Sequence, residues 1–413
     1  MASGPATGRS GRASAQVRAE WYRPRWSAGG VWKLVLFAAL VGLPLFLLGR
    51  RGFAGYGTGP LPYDLTVFLR AADDILAGRS PFPSSESFTS DASYVYPPLL
   101  AIAAIPLAVV PVAPAVLIWT ILSVAAVAAA LWLLDVRDWR VYGIALLLPA
   151  TRDAVGAGTI GPFLVLATAL AWRYRDRKGP AAAAAVGLAA ALKLFVWPVI
   201  AWFAATRRWG AALVAIAVAC GAVLASWAVI GFRGLGEYPA VLRRLTDLEA
   251  EESYSVLAVG RVLGLSSPLS VALSLVVGAI FLAVMVQAAG DPRRTASERD
   301  RVALTAAIAA SLAITPILWV HYLVLLLVPL ALARPRLSPL WLVPLIPSAF
   351  RVFGWSHPNW PSGDAAALVI VLGTTALALG VMLRAQVARG SYASGGVEGF
   401  RYSVIPRLRS RRG

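Results

Sequence analysis

The chain has 413 residues, of which 59% are hydrophobic and only 14% are charged, and its net charge is +18. A soluble domain has about 25% charged residues, so the composition excludes a soluble enzyme and is typical of an integral membrane protein. The basic residues cluster at the ends of apolar runs, which favours anionic lipid headgroups as partners over nucleic acid. The single cysteine, Cys220, allows no intrachain disulfide.

Apolar runs recur along the whole chain, and several are long enough to cross about 30 Å of hydrocarbon. We therefore predict an all-α, polytopic transmembrane bundle with about 11 to 13 hydrophobic segments. The candidates are 31–48, 97–112, 115–134, 158–172, 181–205, 211–230, 269–289, 302–314, 318–333, 337–350 and 365–383. They form one predicted transmembrane domain, 31–385, between disordered basic cytoplasmic tails at 1–30 and 386–413.

The first long loop, 49–94, contains a predicted amphipathic helix over residues 63–79. Its apolar residues repeat at helical spacing: Leu65, Phe68, Leu69, Ala72, Ile75 and Leu76. We expect this helix to lie flat at the outer interface and to stop at Gly78. Asp64 falls at its start, where the residue is either a helix N-cap or a functional carboxylate.

Basic connections predict the orientation of the bundle. The loops 173–178, 206–208, 291–301 and 334–336 are basic and should be cytoplasmic, whereas the loops 49–94 and 231–265 should face outside.

The segment 181–205 lies between two of these basic loops, so one crossing cannot satisfy both. A hairpin of two short helices, 181–192 and 194–205, would satisfy both loops. Each is about 18 Å long, which leaves Lys193 at an apex inside the membrane. A lysine there is by default a functional hypothesis, and the alternative is a side chain that snorkels to an interface. Whether the chain crosses the membrane an odd or an even number of times between residues 135 and 161 stays open.

An ordered series of short motifs resembles glycosyltransferase family 87, the polyprenyl-phosphate-mannose-dependent mannosyltransferases of cell envelopes. The motifs are Asp64 opening its helix, AADDILAGRSPF at 71–82, YVYPPL at 94–99, PL at 106–107, GLAAALK at 187–193, RRW at 207–209, SYSV at 253–256 with Arg261, and TPILWVHY at 315–322. Two stretches depart from the family pattern. GTIG at 158–161 stands where G-Q-x-N is expected, and TRD at 151–153 stands where a Pro–Glu–Asn type of stretch is expected.

The resemblance implies a C-type glycosyltransferase fold and an inverting transfer of mannose from polyprenyl phosphate to a glycolipid or glycan on the outer face. Asp64 would be the general base. The cations that would stabilise the leaving phosphate are Lys193 and, with weaker support, Arg70 and Arg261. His321 is either a packing histidine or a donor to the phosphate or the acceptor sugar. His357 is expected to be a structural or surface residue.

The resemblance also implies no metal and no cofactor, because the lipid-linked sugar is a co-substrate. The partners are then the polyprenyl-phosphate donor, the acceptor and membrane lipids, at the cell membrane. The alternatives are a transporter or lipid flippase, which should show related halves, and a non-catalytic scaffold. The sequence contains no visible internal repeat, and its candidate residues fall towards one face.

Overall fold

The computed structural model describes residues 28–57, 60–82, 93–177, 180–250 and 253–346, with short stretches between 372 and 384. Within these ranges the regular elements are all helices, which confirms the predicted all-α class. The predicted tails fall almost entirely outside the described residues, as does His357.

The α-helices are α1 (Ala28–Phe37), α2 (Leu43–Gly52), α3 (Tyr63–Leu76), α4 (Pro98–Ala108), α5 (Val112–Leu133), α6 (Trp139–Leu147), α7 (Pro149–Gly156), α8 (Gly161–Tyr174), α9 (Ala181–Leu192), α10 (Trp197–Ala205), α11 (Trp209–Val229), α12 (Tyr238–Glu249), α13 (Val256–Val262), α14 (Ser267–Gly290), α15 (Ala296–Ile314) and α16 (Leu327–Ala333). A π-helical stretch, Ala38–Gly42, joins α1 to α2. The 3-10 helices are Ala54–Tyr56, Leu194–Val196, Val320–Leu326 and Pro339–Leu345.

Four of the described helical segments are long and apolar enough to cross a membrane: Trp32–Gly52, α5, α11 and α14. The pair α7 and α8, bent by 118°, brings the number to five if it counts as one span. The chain is thus a multi-pass membrane protein, but fewer segments cross alone than the apolar runs predicted. The difference arises because a helix that is apolar on all sides is equally suited to the interior of a bundle. Helix α15 is such a case, since nearly all of its residues after Arg301 are buried.

Helix α3 begins at Tyr63 and ends at Leu76, close to the predicted bounds. Gly78, with φ of 73°, follows it as the predicted stop. The helix does not lie flat with its apolar face towards lipid. Leu65, Phe68 and Ala72 are fully buried, and Phe68 packs edge-on against Tyr96 with ring centroids 5.4 Å apart. The helix is therefore part of the hydrophobic core.

Asp300, at the start of α15, joins the two ends of the 181–205 segment. Arg175 before the segment donates to the Asp300 carboxylate at 2.8 Å, and Arg208 after it donates at 2.7 Å. Both ends of the segment therefore lie at the same end of the molecule. This confirms the predicted hairpin, in which α9 leads away from that end and α10 returns to it.

The other basic loops meet at this same end, which we call the basic end. Arg173 lies 3.6 Å from Asp135, and the Leu337 amide donates to Asp138 at 3.0 Å. A hydrogen bond from Arg140, in competition with desolvation, lowers the pKa of Asp138 to about 2. These contacts join the loops that the sequence grouped by charge.

The two loops predicted to be external pack on each other at the opposite end. Helix α11 begins after Arg208 and reaches Trp227 about 27 Å further along, at 1.5 Å per residue. Trp227 stacks on Phe82 of the first loop with ring centroids 5.1 Å apart. Arg233 donates to the Gly78 carbonyl. These contacts fix the first loop, which carries Asp64, against the second.

Candidate functional site

Asp64 lies in the first turn of α3 and is half-buried. Pro62 occupies the N-cap position, and no side chain caps the helix, so the N-cap interpretation of Asp64 is wrong. The Asp64 amide donates to the Ala157 carbonyl at 2.8 Å. This bond attaches the start of α3 to the turn between α7 and α8 and leaves the carboxylate available for other contacts.

That turn is the GTIG stretch in which the sequence departs from the family pattern. Gly158 has φ of 73°, and a Cβ at this position would lie 2.7 Å from the Leu65 Cβ. The Thr159 hydroxyl accepts from the Gly161 amide at 3.1 Å, which closes the turn. The turn therefore needs a glycine at 158 for α3 to approach closely enough to place Asp64.

Lys193 ends α9 with an extended backbone, φ −149° and ψ 100°, at the predicted apex of the hairpin. Its side chain is 9% exposed. The ammonium donates to the Tyr96 hydroxyl at 3.3 Å and lies 3.6 Å from the centroid of the Tyr322 ring. Because the side chain is itself buried and ends among aromatic rings of the bundle, the snorkelling alternative is wrong.

His321 is also buried, in the 3-10 helix Val320–Leu326. Its Nδ1 lies 3.3 Å from the carboxylate of Asp153, whose side chain is 50% exposed. A carboxylate at one ring nitrogen fixes the orientation of an imidazole and leaves the other nitrogen for chemistry. His321 thus has the partner that a positioned donor requires.

The electrostatics of Asp64 show which of these groups converge. Burial raises the pKa of Asp64, while His321 and Lys193 lower it. Asp153 raises the pKa, and a side-chain hydrogen bond from Tyr96 lowers it. Asp64, Lys193 and His321 come from three distant parts of the chain, and the fold places them near one another. Their roles in the reaction stay predictions. Within the described ranges, no group of three or more acidic, histidine or cysteine side chains could hold a metal ion.

The fold turns Arg70 away from these side chains, and the role of Arg261 stays a prediction. Arg70 is exposed and lies six residues beyond Asp64, which turns it about 120° away around the helix. Arg261 lies in the last turn of α13. Neither arginine is among the groups that act most strongly on Asp64. The nearby Ser–x–Ser stretch is structural, because Ser255 caps α13 by accepting from the Ala258 amide at 3.1 Å.

Three site residues were missed by the sequence reasoning: Asp153, Tyr96 and Tyr322. Each lies in or beside a stretch that either matches the family pattern or departs from it. Tyr96 belongs to the YVYPPL motif, Tyr322 follows His321, and Asp153 ends the TRD stretch. An aromatic or acidic residue inside a motif is a weak signal, since only the fold shows that these side chains face Asp64, Lys193 and His321.

The arrangement provides a proton acceptor facing two groups that favour negative charge, as transfer from a phosphate-linked donor requires. Searches of curated proteins and of solved structures found no match to the chain. The family model of glycosyltransferase family 87 matches residues 94–329, more than half of the 413 residues. The matched stretch includes Lys193 and His321, and Asp64 precedes it. The chain therefore belongs to glycosyltransferase family 87 and is a membrane glycosyltransferase.

Proposed function

We propose that the protein transfers mannose from polyprenyl-phosphate-mannose to an envelope glycolipid or glycan at the outer face of the cell membrane, with inversion at the anomeric carbon. The observation that carries the proposal is the convergence of a half-buried carboxylate, Asp64, with Lys193 and His321 near the apex of the hairpin. A nucleotide-independent transfer from a lipid phosphate needs these groups: one base and positive charge for the leaving phosphate.

Asp64 accepts the proton from the acceptor hydroxyl. The hydroxyl oxygen bonds to the anomeric carbon on the face opposite the phosphate, and the bond from that carbon to the phosphate oxygen breaks. The electron pair leaves with the polyprenyl phosphate, where Lys193 and His321 stabilise the charge. Asp153 holds the His321 ring through Nδ1, at 3.3 Å. The attack from the opposite face inverts the configuration.

Two observations support the outer face. The basic loops meet at the end opposite the two packed loops, and basic loops are cytoplasmic in most membrane proteins. Helix α9 leads about 18 Å away from the basic end before it reaches Lys193, which supports a site beyond the middle of a bilayer core about 30 Å thick.

The proposal is tested by Asp64→Asn. Asparagine keeps the size of the side chain but cannot accept a proton, so sugar transfer should fall by a factor of roughly 10² to 10⁴. Stability should change little, because Asp64 caps no helix. Transfer is measured with membranes and labelled polyprenyl-phosphate-mannose. The matched control is Asp73→Asn, an exposed carboxylate on the same helix, which should keep its activity. Near wild-type transfer by Asp64→Asn would sink the mechanism.

The donor and acceptor are tested by competition. Labelled polyprenyl-phosphate-mannose is offered with a panel of envelope acceptors, and unlabelled polyprenyl phosphates bearing other hexoses or a pentose compete. We expect only the mannosyl lipid to compete fully. Competition by another sugar would change the donor, and label that crosses the bilayer without forming a new glycosidic bond would support a flippase.

A further inference from the structure

Lys193 and Asp64 are a basic and an acidic side chain in one site, yet they do not form an ion pair. Lys193 is among the groups that lower the pKa of Asp64. Both residues lie in the part of the chain that the structure describes, and no salt bridge there joins their side chains. Attraction between unit charges is strong in a low-dielectric interior, so neighbours of this kind should collapse into a direct pair unless other groups hold them apart.

The Tyr96 hydroxyl stands between the two charges. It accepts a hydrogen bond from the Lys193 ammonium, with 3.3 Å between Nζ and Oη. Its ring packs against Phe68, one turn after Asp64 on α3, with centroids 5.4 Å apart, so the hydroxyl lies beside α3 and favours the charged form of the Asp64 carboxyl. A phenol can do both at once because its oxygen is an acceptor and its proton is a donor. Each charge is thereby satisfied by a neutral group.

Aromatic faces hold the ammonium on its other sides. Nζ lies 3.6 Å from the Tyr322 ring centroid and 5.2 Å from that of Tyr96. The Tyr322 ring stacks on Phe195 at 5.1 Å with an interplanar angle of 3°, so its position is fixed. A cation over a ring is stabilised without being neutralised. The charge therefore remains available to an incoming anion.

We infer that Tyr96 and Tyr322 are positioning residues that keep Lys193 and Asp64 adjacent but unpaired, so that the ammonium stays available to the leaving phosphate and the carboxylate to the acceptor proton. The inference rests on the proposed function and adds the residues that keep both groups competent. A direct pair would make Asp64 a weaker base and would oblige the phosphate to break the pair before it could bind.

The first test is the pH dependence of transfer by Tyr96→Phe, which keeps the ring and removes the hydroxyl. If the hydroxyl separates the charges, its loss lets Lys193 pair directly with Asp64. The acidic limb of the pH–rate profile should then move to lower pH by about one unit, and the rate should fall about tenfold. The other groups that face Asp64, namely His321 and Asp153, stay in place, as do Tyr63 and Tyr322, the further titratable neighbours of Tyr96.

If the hydroxyl were merely structural, its loss would move the acidic limb in the opposite direction. The hydrogen bond from Tyr96 lowers the pKa of Asp64, so its simple loss would raise that pKa and move the acidic limb to higher pH. A shift to higher pH, or no shift, would overturn the inference. The matched control is Tyr142→Phe, which removes a hydroxyl that donates to the Val136 carbonyl at 3.0 Å at the basic end. Its acidic limb should not move.

The second test compares Tyr322→Phe with Tyr322→Leu in the binding of sugar-free polyprenyl phosphate to the purified protein. Phenylalanine keeps the face beneath the ammonium, so affinity should stay within about twofold of wild type. Leucine removes the face, and affinity should fall about tenfold. Equal affinity of the two variants would refute the role of the ring, even if Tyr96→Phe proves unstable.

The two proposals fail in different ways. A wild-type protein that transfers no sugar from any polyprenyl phosphate would overturn the proposed function. Suppose instead that the wild-type protein is active and that Tyr96→Phe leaves the acidic limb of the pH–rate profile in place or moves it to higher pH. That result would overturn only the role of the tyrosines.

Discussion

Asp64 should decide the acidic side of the pH range in which the enzyme works. Burial raises its pKa above the value of about 3.9 that an exposed aspartate has, and His321, Lys193 and Tyr96 offset only part of that rise. Below this pKa the carboxyl is protonated and cannot accept a proton, so the rate should rise with pH through it. As pH is lowered, initial rates at saturating donor should therefore begin to fall while the pH is still above 4. A rate that stays constant down to about pH 4 would contradict the assignment.

The same shift affects stability in the opposite direction. The folded protein holds the Asp64 proton more tightly than the unfolded chain does. The free energy of unfolding should therefore decrease as pH rises from the unfolded pKa to the folded one, and then level off. A functional carboxylate in a buried site thus costs stability at the pH where it is active, which is typical of groups that are kept for chemistry.

The sequence named Asp64, Lys193 and His321 as candidates but not the side chains that contact them. Asp64 and His321 each belong to a motif. Lys193 interrupts an apolar segment, which is visible in the sequence without a structure. Asp153 and His321 are 168 residues apart, and only the fold makes them neighbours. Arg70 was predicted on residue type, although its helical phase relative to Asp64 turns it away.

At the scale of an element, the turn between α7 and α8 is the support on which α3 rests. Gly158→Ala should reduce transfer strongly while the protein still inserts. The new Cβ would meet the Leu65 Cβ at 2.7 Å and the Pro62 Cβ at 3.0 Å, so α3 and Asp64 must shift. A shift of about 1 Å at a reacting group can cost a hundredfold in rate.

The matched control is Gly264→Ala. Gly264 has φ of 77°, so alanine there carries the same backbone strain, but nothing lies within 4 Å of its Cβ. Both variants should lose about 1 to 2 kcal/mol of stability from the left-handed backbone. Only Gly158→Ala should lose transfer, which is assayed on equal amounts of inserted protein. Equal activities would show that the turn does not position Asp64.

The hairpin of α9 and α10 was predictable from charge. Two basic loops on the same side of a membrane cannot be joined by a single crossing, so the chain between them must turn back. The burial of α3 was not predictable, since an amphipathic helix can bury its apolar face in lipid or in protein with the same sequence pattern. The segment 318–333 was predicted as a span, but it consists of a 3-10 helix followed by the seven residues of α16. Its apolar residues pack in the core, and composition alone does not distinguish a core segment from a short span.

On the scale of the whole molecule, the charges divide the protein into two ends. The basic end is stabilised by paired side chains, with Asp300 bound by Arg175 and Arg208. The opposite end is stabilised by aromatic packing between the two loops that follow α2 and α11. The hairpin connects the two, since its ends are fixed at the basic end and its apex supplies Lys193 to the site. The position of Lys193 therefore depends on ion pairs at the basic end, where the hairpin begins and ends.

This division gives a prediction of topology that cysteine labelling can test. Cys220 is exposed and is first replaced by serine to remove background. Arg243→Cys then introduces one exposed thiol on α12, in the second outer loop, and Arg336→Cys introduces one at the basic end. An impermeant maleimide should label the Arg243→Cys variant on intact cells. The Arg336→Cys variant should react only after permeabilisation, because the positive-inside rule predicts that the basic loops are cytoplasmic. The reverse pattern would place Asp64 and the hairpin apex towards the cytoplasm. A lipid-phosphate donor would then have to be used on the inner face, and the proposed outer-face transfer would be wrong even if Asp64 is the base.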